Sequence, residues 1–233
     1  MEPGFQRVFF DLGGTLLRVR GSVGAAYASA AAQHGVHVDA EAVEGAFRGA
    51  LAAAPPATFP GVAAAAIPMH ERAWWRHVVA TTFASFAPFD NFDAFFDDVF
   101  AFFARPDAWE LLPGARALLA TLQSQGRRLG VVSEMDSRVY AILEAFGVRR
   151  DFDVVALSTE HGAVKTDGGL FRIALRLAAA PPSACLHVGD SPTADAGGAQ
   201  RAGITAILLG TDAVPGLDAV PARIRALEHG ATG

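Results

Sequence analysis

The pattern of apolar and polar residues divides the chain into a long helical segment and a segment in which helices and strands alternate. An apolar run at 5–10 predicts a first strand, and no strand pattern follows between about 21 and 105. Apolar residues at helical spacing, separated by proline and glycine, predict helices throughout that stretch. These predicted helices lie near 22–34, 39–53, 70–86 and 90–104.

Beyond about residue 112, helices and strands alternate. Predicted helices near 114–125, 136–146, 168–179 and 194–202 separate predicted strands near 128–133, 153–157, 184–189 and 204–208. Such alternation calls for a parallel sheet with helices on both faces. We therefore predict an α/β fold, in which a Rossmann-like parallel sheet core (1–17 and 110–233) is interrupted by an inserted all-helical domain (18–109).

Composition and charge exclude some classes of function. The 233 residues are 52% hydrophobic, which is enough for a core domain and a smaller insert. The net charge is −5 and the basic residues are scattered, so we expect no nucleic-acid surface. Prolines break the alanine-rich stretch 50–67, and no secretory signal is visible, so we expect a cytoplasmic protein without a membrane span.

Phenylalanines crowd the stretch Phe83–Phe103. Their helical spacing indicates the buried core of the inserted helical domain. The alternative is an apolar wall that faces a substrate or a partner subunit, and the choice between a monomer and a homodimer stays open.

Three polar residues come directly after apolar runs that we interpret as parallel strands: Asp11, Ser133 and Asp190. Ligands of open α/β sheets bind at the carboxyl ends of the strands, so we expect these side chains to meet there. Asp11 is followed by Gly13-Gly14, which would let backbone N–H groups approach a phosphate closely. A carboxylate is a competent nucleophile for phosphoryl transfer, although a plain turn Asp is the alternative.

The remaining candidates complete a phosphate and metal site. Asp11, Asp190 and the backbone carbonyl of Gly13 offer the oxygen ligands that Mg²⁺ prefers. The Ser133 hydroxyl and the N–H groups after it could bind phosphate oxygens, or Ser133 could cap the next helix. Lys165 would offset the negative charge. Asp195 is either a helix N-cap or the residue that orients Lys165 or a metal-bound water.

These segments resemble the motifs of the haloacid dehalogenase-like (HAD) hydrolase superfamily. Asp11 matches the nucleophile of its first motif, Ser133 its second, Lys165 its third, and Asp190 with Asp195 its acidic fourth. The resemblance spans roughly 5–209 and implies that the inserted helices form a cap domain over the active site. A closer likeness to the subgroup named for the rhythmically expressed gene of flies is carried by Thr15–Arg20, Trp74-Trp75 and Thr82-Phe83.

The resemblance implies a role for each candidate. Catalytic residues are Asp11, Ser133 and Lys165; phosphate contacts come from Gly14, Thr15, Ser133, Glu134 and Lys165; metal ligands are Asp11, Gly13 and Asp190; Ser191 and Asp195 support the site. The chain departs from the family at Gly13, where active phosphatases carry a second Asp that protonates the leaving group and then activates water. Glu134 also replaces a common Asn.

We therefore predict a Mg²⁺-dependent phosphatase of small phosphorylated metabolites that works through an aspartyl-phosphate at Asp11, with turnover reduced by Gly13. The first alternative is a weak or inactive member that binds phosphate ligands or partners. The second is a carbon–halogen hydrolase, which also uses an Asp nucleophile but does not require a metal.

Overall fold

The computed structural model describes residues 4–230, and the contacts within it form two compact units. We call the described part of Met1–Arg18, Thr58–Gly61 and Leu111–Gly233 the sheet unit. Val19–Ala57 and Val62–Glu110 are the helical unit. The assignment of these units as a catalytic core and a cap stays a prediction.

The sheet unit is built on a five-stranded parallel sheet in the order β5-β4-β1-β6-β7. Its strands are β1 (Arg7–Phe10), β4 (Arg128–Ser133), β5 (Phe152–Leu157), β6 (Cys185–Gly189) and β7 (Thr205–Leu208). All four residues of β1 are buried, as a central strand covered on both faces requires. The predicted α/β fold with a parallel sheet is confirmed.

Two further strands, β2 (Leu17–Val19) and β3 (Trp109–Leu111), form a separate two-stranded sheet. The sequence analysis did not predict them, because three residues are too few to show the alternation of a half-buried strand.

Seven of the observed helices follow the predicted stretches closely, whereas the helices at Ser158–His161 and Val220–Gly230 were not predicted. The helices are α1 (Val23–Gln33), α2 (Ala40–Ala53), α3 (Ile67–Phe83), α4 (Phe92–Phe102), α5 (Ala115–Ser124), α6 (Val139–Ala145), α7 (Ser158–His161), α8 (Gly169–Ala178), α9 (Gly198–Arg201) and α10 (Val220–Gly230). The single helix predicted near 194–202 is wrong in detail, since a π-helical turn, Pro192–Gly197, precedes α9. In the part of the chain from 4 to 230, no helix has the length and apolarity needed to cross a bilayer.

The helical unit is held together by aromatic packing. Tyr27, Phe83, Phe95 and Phe96 are buried, and the ring of Phe89 stacks on Phe95 with centroids 4.1 Å apart. Aromatic pairs of this kind stabilise a core beyond the free energy of area burial. The Phe-rich stretch therefore contributes to the core of its own unit.

Candidate active site

The register of the central strands brings the predicted site residues to one edge of the sheet. Phe10 of β1 pairs with Val131 of β4 and with Val188 of β6. Asp11 therefore lies one residue beyond this row of paired residues. Ser133 and Asp190 each lie two residues beyond it. One carboxylate oxygen from each of Asp11, Asp190 and Asp195 lies within 4.8 Å of the others.

Lys165 is the buried cation of this cluster. Its Nζ lies 2.7 Å from Asp11 Oδ1 and 2.7 Å from Asp195 Oδ1. Burial alone would lower the pKa of Lys165, but the charges and hydrogen bonds of the two carboxylates outweigh it and raise that pKa above its usual value. The side chain therefore carries its charge at neutral pH.

Lys165 is also the only lysine in the sequence, in which every other strongly basic residue is an arginine. This uniqueness marks the position independently of the motif around Lys165. A compact ammonium fits between two carboxylates more readily than a planar guanidinium.

Asp195 holds the network together. Its Oδ2 accepts hydrogen bonds from the backbone N–H groups of Asp190 (3.1 Å) and Ser191 (2.9 Å). Its Oδ1 accepts from Lys165 Nζ at 2.7 Å and lies 2.8 Å from His187 Nε2. Burial opposes ionisation of Asp195, but the hydrogen bond with His187 and the charge of Lys165 outweigh it and lower the pKa of that carboxyl.

The alternative interpretation of Asp195 as a helix N-cap is wrong. Ser191 fills that role, because its Oγ accepts from the backbone N–H of Ala194 at 3.1 Å. Ser191 thus supports the loop, as its predicted role requires. Asp195 instead turns inward within the π-helical turn.

Two glycines permit the close approaches on which the cluster depends. A Cβ on Gly189 would lie 2.2 Å from Asp195 Cγ, and a Cβ on Gly198 would lie 2.1 Å from the carbonyl oxygen of Lys165. Both distances are impossible contacts, so any larger residue would displace Asp195 or the lysine loop.

The loop after β1 forms a tight turn around Gly14 and Thr15. Gly14 has a left-handed φ of 79°, and its N–H donates to the carbonyl of Leu17 at 2.8 Å. Thr15 is fully buried, with its Oγ1 3.5 Å from Asp190 Oδ1, which is long for a hydrogen bond. In this conformation the Gly14 N–H donates within the loop, whereas the Thr15 hydroxyl makes a long contact with the loop after β6.

Gly13 and Gly14 differ in whether the surrounding structure leaves room for a side chain. Gly13 does not adopt a left-handed φ, and the nearest heavy atom to a Cβ placed there is Met135 Sδ, at 4.0 Å. A Cβ on Gly14 would lie 2.3 Å from Asp190 Oδ2. The site therefore requires glycine at position 14 and has room for a side chain at position 13.

The loop after β4 carries two further candidates. Ser133 is buried, and its Oγ accepts from the N–H of Met135 at 3.3 Å. It does not cap α6, which begins at Val139 without a side-chain cap. Glu134 Oε1 accepts from the backbone N–H of Lys165 at 3.0 Å. The Glu134 carboxylate thereby ties the serine loop to the lysine loop.

The donor set fits a magnesium ion. Three carboxylates face one ammonium in this cluster, and burial, followed by the nearby charges of Asp11 and Asp195, raises the pKa of Asp190. Asp11 and Asp190 are hard oxygen ligands of the kind that Mg²⁺ takes in small number. A carboxylate has about four acceptor positions, and Asp195 has donors on both oxygens, which leaves it a supporting residue.

His187 adjoins the site, although its place within an apolar strand pattern is typical of a buried structural histidine. It is fully buried in β6, and its Nε2 contacts Asp195. The overlooked signal is a polar residue within an apolar strand that ends in a candidate ligand. Because His187 does not reach Asp11, its role is indirect.

Comparison with known proteins agrees with this geometry. The sequence model of a family described as haloacid dehalogenase-like hydrolase matches residues 5–203. The mouse haloacid dehalogenase-like hydrolase domain-containing protein 3 is 36% identical over 202 residues, covering 86% of this chain and 80% of the mouse protein. The Rhythmically expressed gene 2 protein of Drosophila melanogaster is 27% identical over 202 residues, covering 82% and 77% of the two chains.

A solved structure shares the fold. The putative HAD-hydrolase YfnB of Bacillus subtilis, in a form bound to magnesium, superposes with a TM-score of 0.70 over 96% of this chain and 100% of that chain. At 18% identity, this similarity supports the fold alone.

Proposed function

Because this chain belongs to the haloacid dehalogenase-like hydrolase family, we propose that it is a Mg²⁺-dependent phosphatase of small phosphorylated metabolites. The predicted family and its subgroup are confirmed by the matches above. The observation that carries the proposal is the position of Asp11, which lies 2.7 Å from the ammonium of Lys165 and within 4.8 Å of a second acidic ligand, Asp190.

Asp11, Asp190 and the backbone carbonyl of Gly13 would hold the metal. When bound, Mg²⁺ neutralises charge between a carboxylate nucleophile and a phosphate that otherwise repel each other. Lys165 contributes a second positive charge beside Asp11 Oδ1, which leaves the second oxygen of that carboxylate to face phosphorus. This separation of roles favours attack by Asp11 over simple anion binding.

In the first step an oxygen of Asp11 attacks phosphorus, and the bond from phosphorus to the leaving oxygen breaks. The Ser133 hydroxyl, the N–H of Glu134 and the ammonium of Lys165 bind the non-bridging oxygens. The leaving oxygen takes its proton from solvent, because position 13 has no side chain. In the second step water attacks the phosphorus of the aspartyl-phosphate, releases inorganic phosphate and restores Asp11.

Both steps proceed without a general acid or base at position 13. Such help accelerates reactions by about 10²–10⁴, so turnover is slow and depends on the leaving group. Gly13 is also the observation that favours a second candidate function, a nearly inactive member of the family that binds phosphorylated ligands. A carbon–halogen hydrolase ranks below both, because it has no use for the acidic pair.

The test uses purified protein with p-nitrophenyl phosphate, in MgCl₂ and in EDTA, beside the Asp11→Asn variant. Turnover that requires Mg²⁺ and Asp11 supports the phosphatase. Binding of inorganic phosphate without turnover supports the second candidate, and release of halide from a haloacid supports the third. Turnover that is the same in EDTA would contradict the proposed role of the metal.

We extend the proposal to the rest of the chain. The helical unit acts as a cap that selects the substrate, and the protein works in the cytoplasm as a monomer or homodimer. A screen of phosphorylated metabolites with variants of the helical unit tests the first point, because substitutions that alter selection should change KM between substrates. Light scattering after gel filtration tests the oligomeric state, and cell fractionation tests the location.

A further inference from the structure

His187 is one of the least accessible polar groups around the site. It is fully buried in β6, and its ring lies edge-on against Phe171 with centroids 4.7 Å apart. Its Nε2 lies 2.8 Å from Asp195 Oδ1, while its Nδ1 has no hydrogen-bond partner among the described residues. The imidazole therefore makes one polar contact, and that contact is to the carboxylate that holds Lys165.

The surroundings of the ring specify its tautomer. Nε2 faces a carboxylate oxygen, which only accepts hydrogen bonds, so Nε2 must carry the hydrogen. A hydrogen on Nδ1 would be a buried donor without an acceptor, which is costly. Burial also lowers the pKa of His187 and keeps the ring neutral. These conditions together require a neutral imidazole that donates from Nε2.

This hydrogen bond completes the acceptor capacity of Asp195. Two backbone amides bind Oδ2, and Lys165 and His187 bind Oδ1. Of the four donors, only His187 lies within a strand of the sheet, whereas the other three belong to loops. The imidazole is therefore the donor that is most rigidly fixed relative to Asp11 at the end of the neighbouring strand.

We propose that His187 is the positioning residue of the active-site lysine: its Nε2–H holds Asp195 Oδ1 where Lys165 Nζ can contact Asp195 and Asp11 together. Without this donor the Asp195 carboxylate is free to rotate about Oδ2, and the ammonium follows it away from Asp11. The consequence for turnover rests on the proposed phosphatase activity, whereas the consequence for Lys165 does not.

The single lysine makes the proposal directly measurable. Tag-free protein labelled with ¹³C,¹⁵N-lysine has one side-chain ammonium signal, that of Lys165. His187→Phe keeps an aromatic ring beside Phe171 and removes the donor, whereas His187→Gln keeps an N–H donor at similar reach. Cys185→Ala is the matched control, because Cys185 is buried two residues earlier on the same face of β6.

The lysine signal should move in His187→Phe, return toward the wild-type position in His187→Gln, and stay in place in Cys185→Ala. A wild-type signal in His187→Phe, or equal displacement in the Phe and Gln variants, would overturn the proposal. If the Phe variant does not fold, the ¹⁵N shifts of the wild-type imidazole decide, and a hydrogen on Nδ1 instead of Nε2 contradicts it.

Kinetics supply a second measurement. With p-nitrophenyl phosphate, kcat of His187→Phe should fall about tenfold or more, the effect of losing a hydrogen bond to a charged group. KM should change by no more than about twofold, and His187→Gln should recover most of kcat. Equal loss in both variants at matched stability would indicate a packing role. Absence of wild-type turnover would refute the proposed function, and the lysine signal would still decide the role of His187.

Discussion

The two units of the molecule bury different kinds of residue. The sheet unit encloses Asp11, Lys165, Asp195 and His187 at the end of its central strands. The core of the helical unit is dominated by rings such as Tyr27 and Phe95, and ion pairs such as Arg76–Asp93 lie at its surface. Enclosed charges cost free energy unless each is paired, whereas enclosed rings stabilise a fold directly.

On the proposed function, the charged cluster of the sheet unit serves chemistry, whereas the aromatic cluster of the helical unit stabilises its fold. Stability alone does not explain the buried charges of the sheet unit, because an apolar cluster of the same volume would stabilise that fold at least as well. The aromatic cluster of the helical unit needs no such explanation. Variants in the two regions should therefore change different measurements.

The largest effect is expected from Asp11→Asn. Asn is nearly isosteric but is neither a nucleophile nor an anionic ligand, so kcat on p-nitrophenyl phosphate should fall by at least about 10³-fold. The fold should survive, as judged by an unchanged circular dichroism spectrum and cooperative melting. Asp212→Asn, at an exposed position, is the control and should retain full activity. Unchanged turnover in Asp11→Asn, after removal of contaminating phosphatase, would show that Asp11 is not catalytic.

Phe95→Ala should have the complementary effect. Phe95 is fully buried against Phe83 and Phe89, and truncation of a buried Phe costs about 3–5 kcal/mol. Urea unfolding followed by fluorescence measures the loss. Phe102→Ala, at a half-buried position of the same helix, should cost less than half as much. Equal losses in the two variants would contradict the assignment of this cluster as the stabilising core.

Gly13→Asp should increase activity. The position has no left-handed φ, and a Cβ there is 4.0 Å from the nearest heavy atom, Met135 Sδ, so the loop has room for the side chain. An acid here can protonate an alkoxide, so turnover of alkyl phosphates should rise by up to about 10²-fold, and turnover of aryl phosphates should rise less.

The neighbouring glycine is the matched control for this change. Gly14→Asp should abolish Mg²⁺ binding and turnover, because its φ is 79° and its Cβ would lie 2.3 Å from Asp190 Oδ2. Brisk wild-type turnover of alkyl phosphates, equal to that of aryl phosphates, would refute the reasoning and indicate another acid.

The smallest expected effect is the loss of Mg²⁺-dependent stabilisation in Asp190→Asn. Mg²⁺ at about 100 times its Kd should stabilise the wild type by about 2.7 kcal/mol, and Asp190→Asn should remove that stabilisation. Because the pKa of Asp190 is raised in the folded state, its ionisation opposes folding above that pKa, and the opposition disappears as the pH falls through it.

In EDTA at neutral pH, Asp190→Asn should therefore melt no lower than the wild type, and the difference should shrink in acid. Differential scanning calorimetry at several pH values measures both effects, with Asp212→Asn as the control. Lower stability of Asp190→Asn in EDTA would contradict the excess negative charge of the cluster.

Much of the fold could be predicted from the sequence, because long elements have clear periodicity. The runs around Val131 and Val188 are short, apolar and bounded by turn residues, and they are strands of the sheet as predicted. The three-residue strands β2 and β3 have too few residues for a pattern. The π-helical turn at Pro192–Gly197 depends on the inward hydrogen bonds of Asp195, which no local signal encodes.

The sequence predicted which residues would come together at the candidate site, but not most of the contacts between them. Asp11 and Asp190 come directly after predicted strands, whereas Lys165 was identified by its match to the third family motif. The positions of Gly14 and Thr15 within the loop, and the attachment of His187 to Asp195, depend on the three-dimensional path of the backbone. The predicted roles of the site residues in catalysis and metal binding stay predictions until they are measured.

Trapping of the covalent intermediate tests the central claim most directly. The protein is mixed with p-nitrophenyl phosphate and Mg²⁺, quenched in acid, and digested for mass spectrometry. The account predicts one phosphoryl group on the peptide that contains Asp11, absent in EDTA and in Asp11→Asn, and long-lived because Gly13 cannot activate water. Turnover without any phosphoryl label on Asp11, or a label on Ser133 instead, would contradict it.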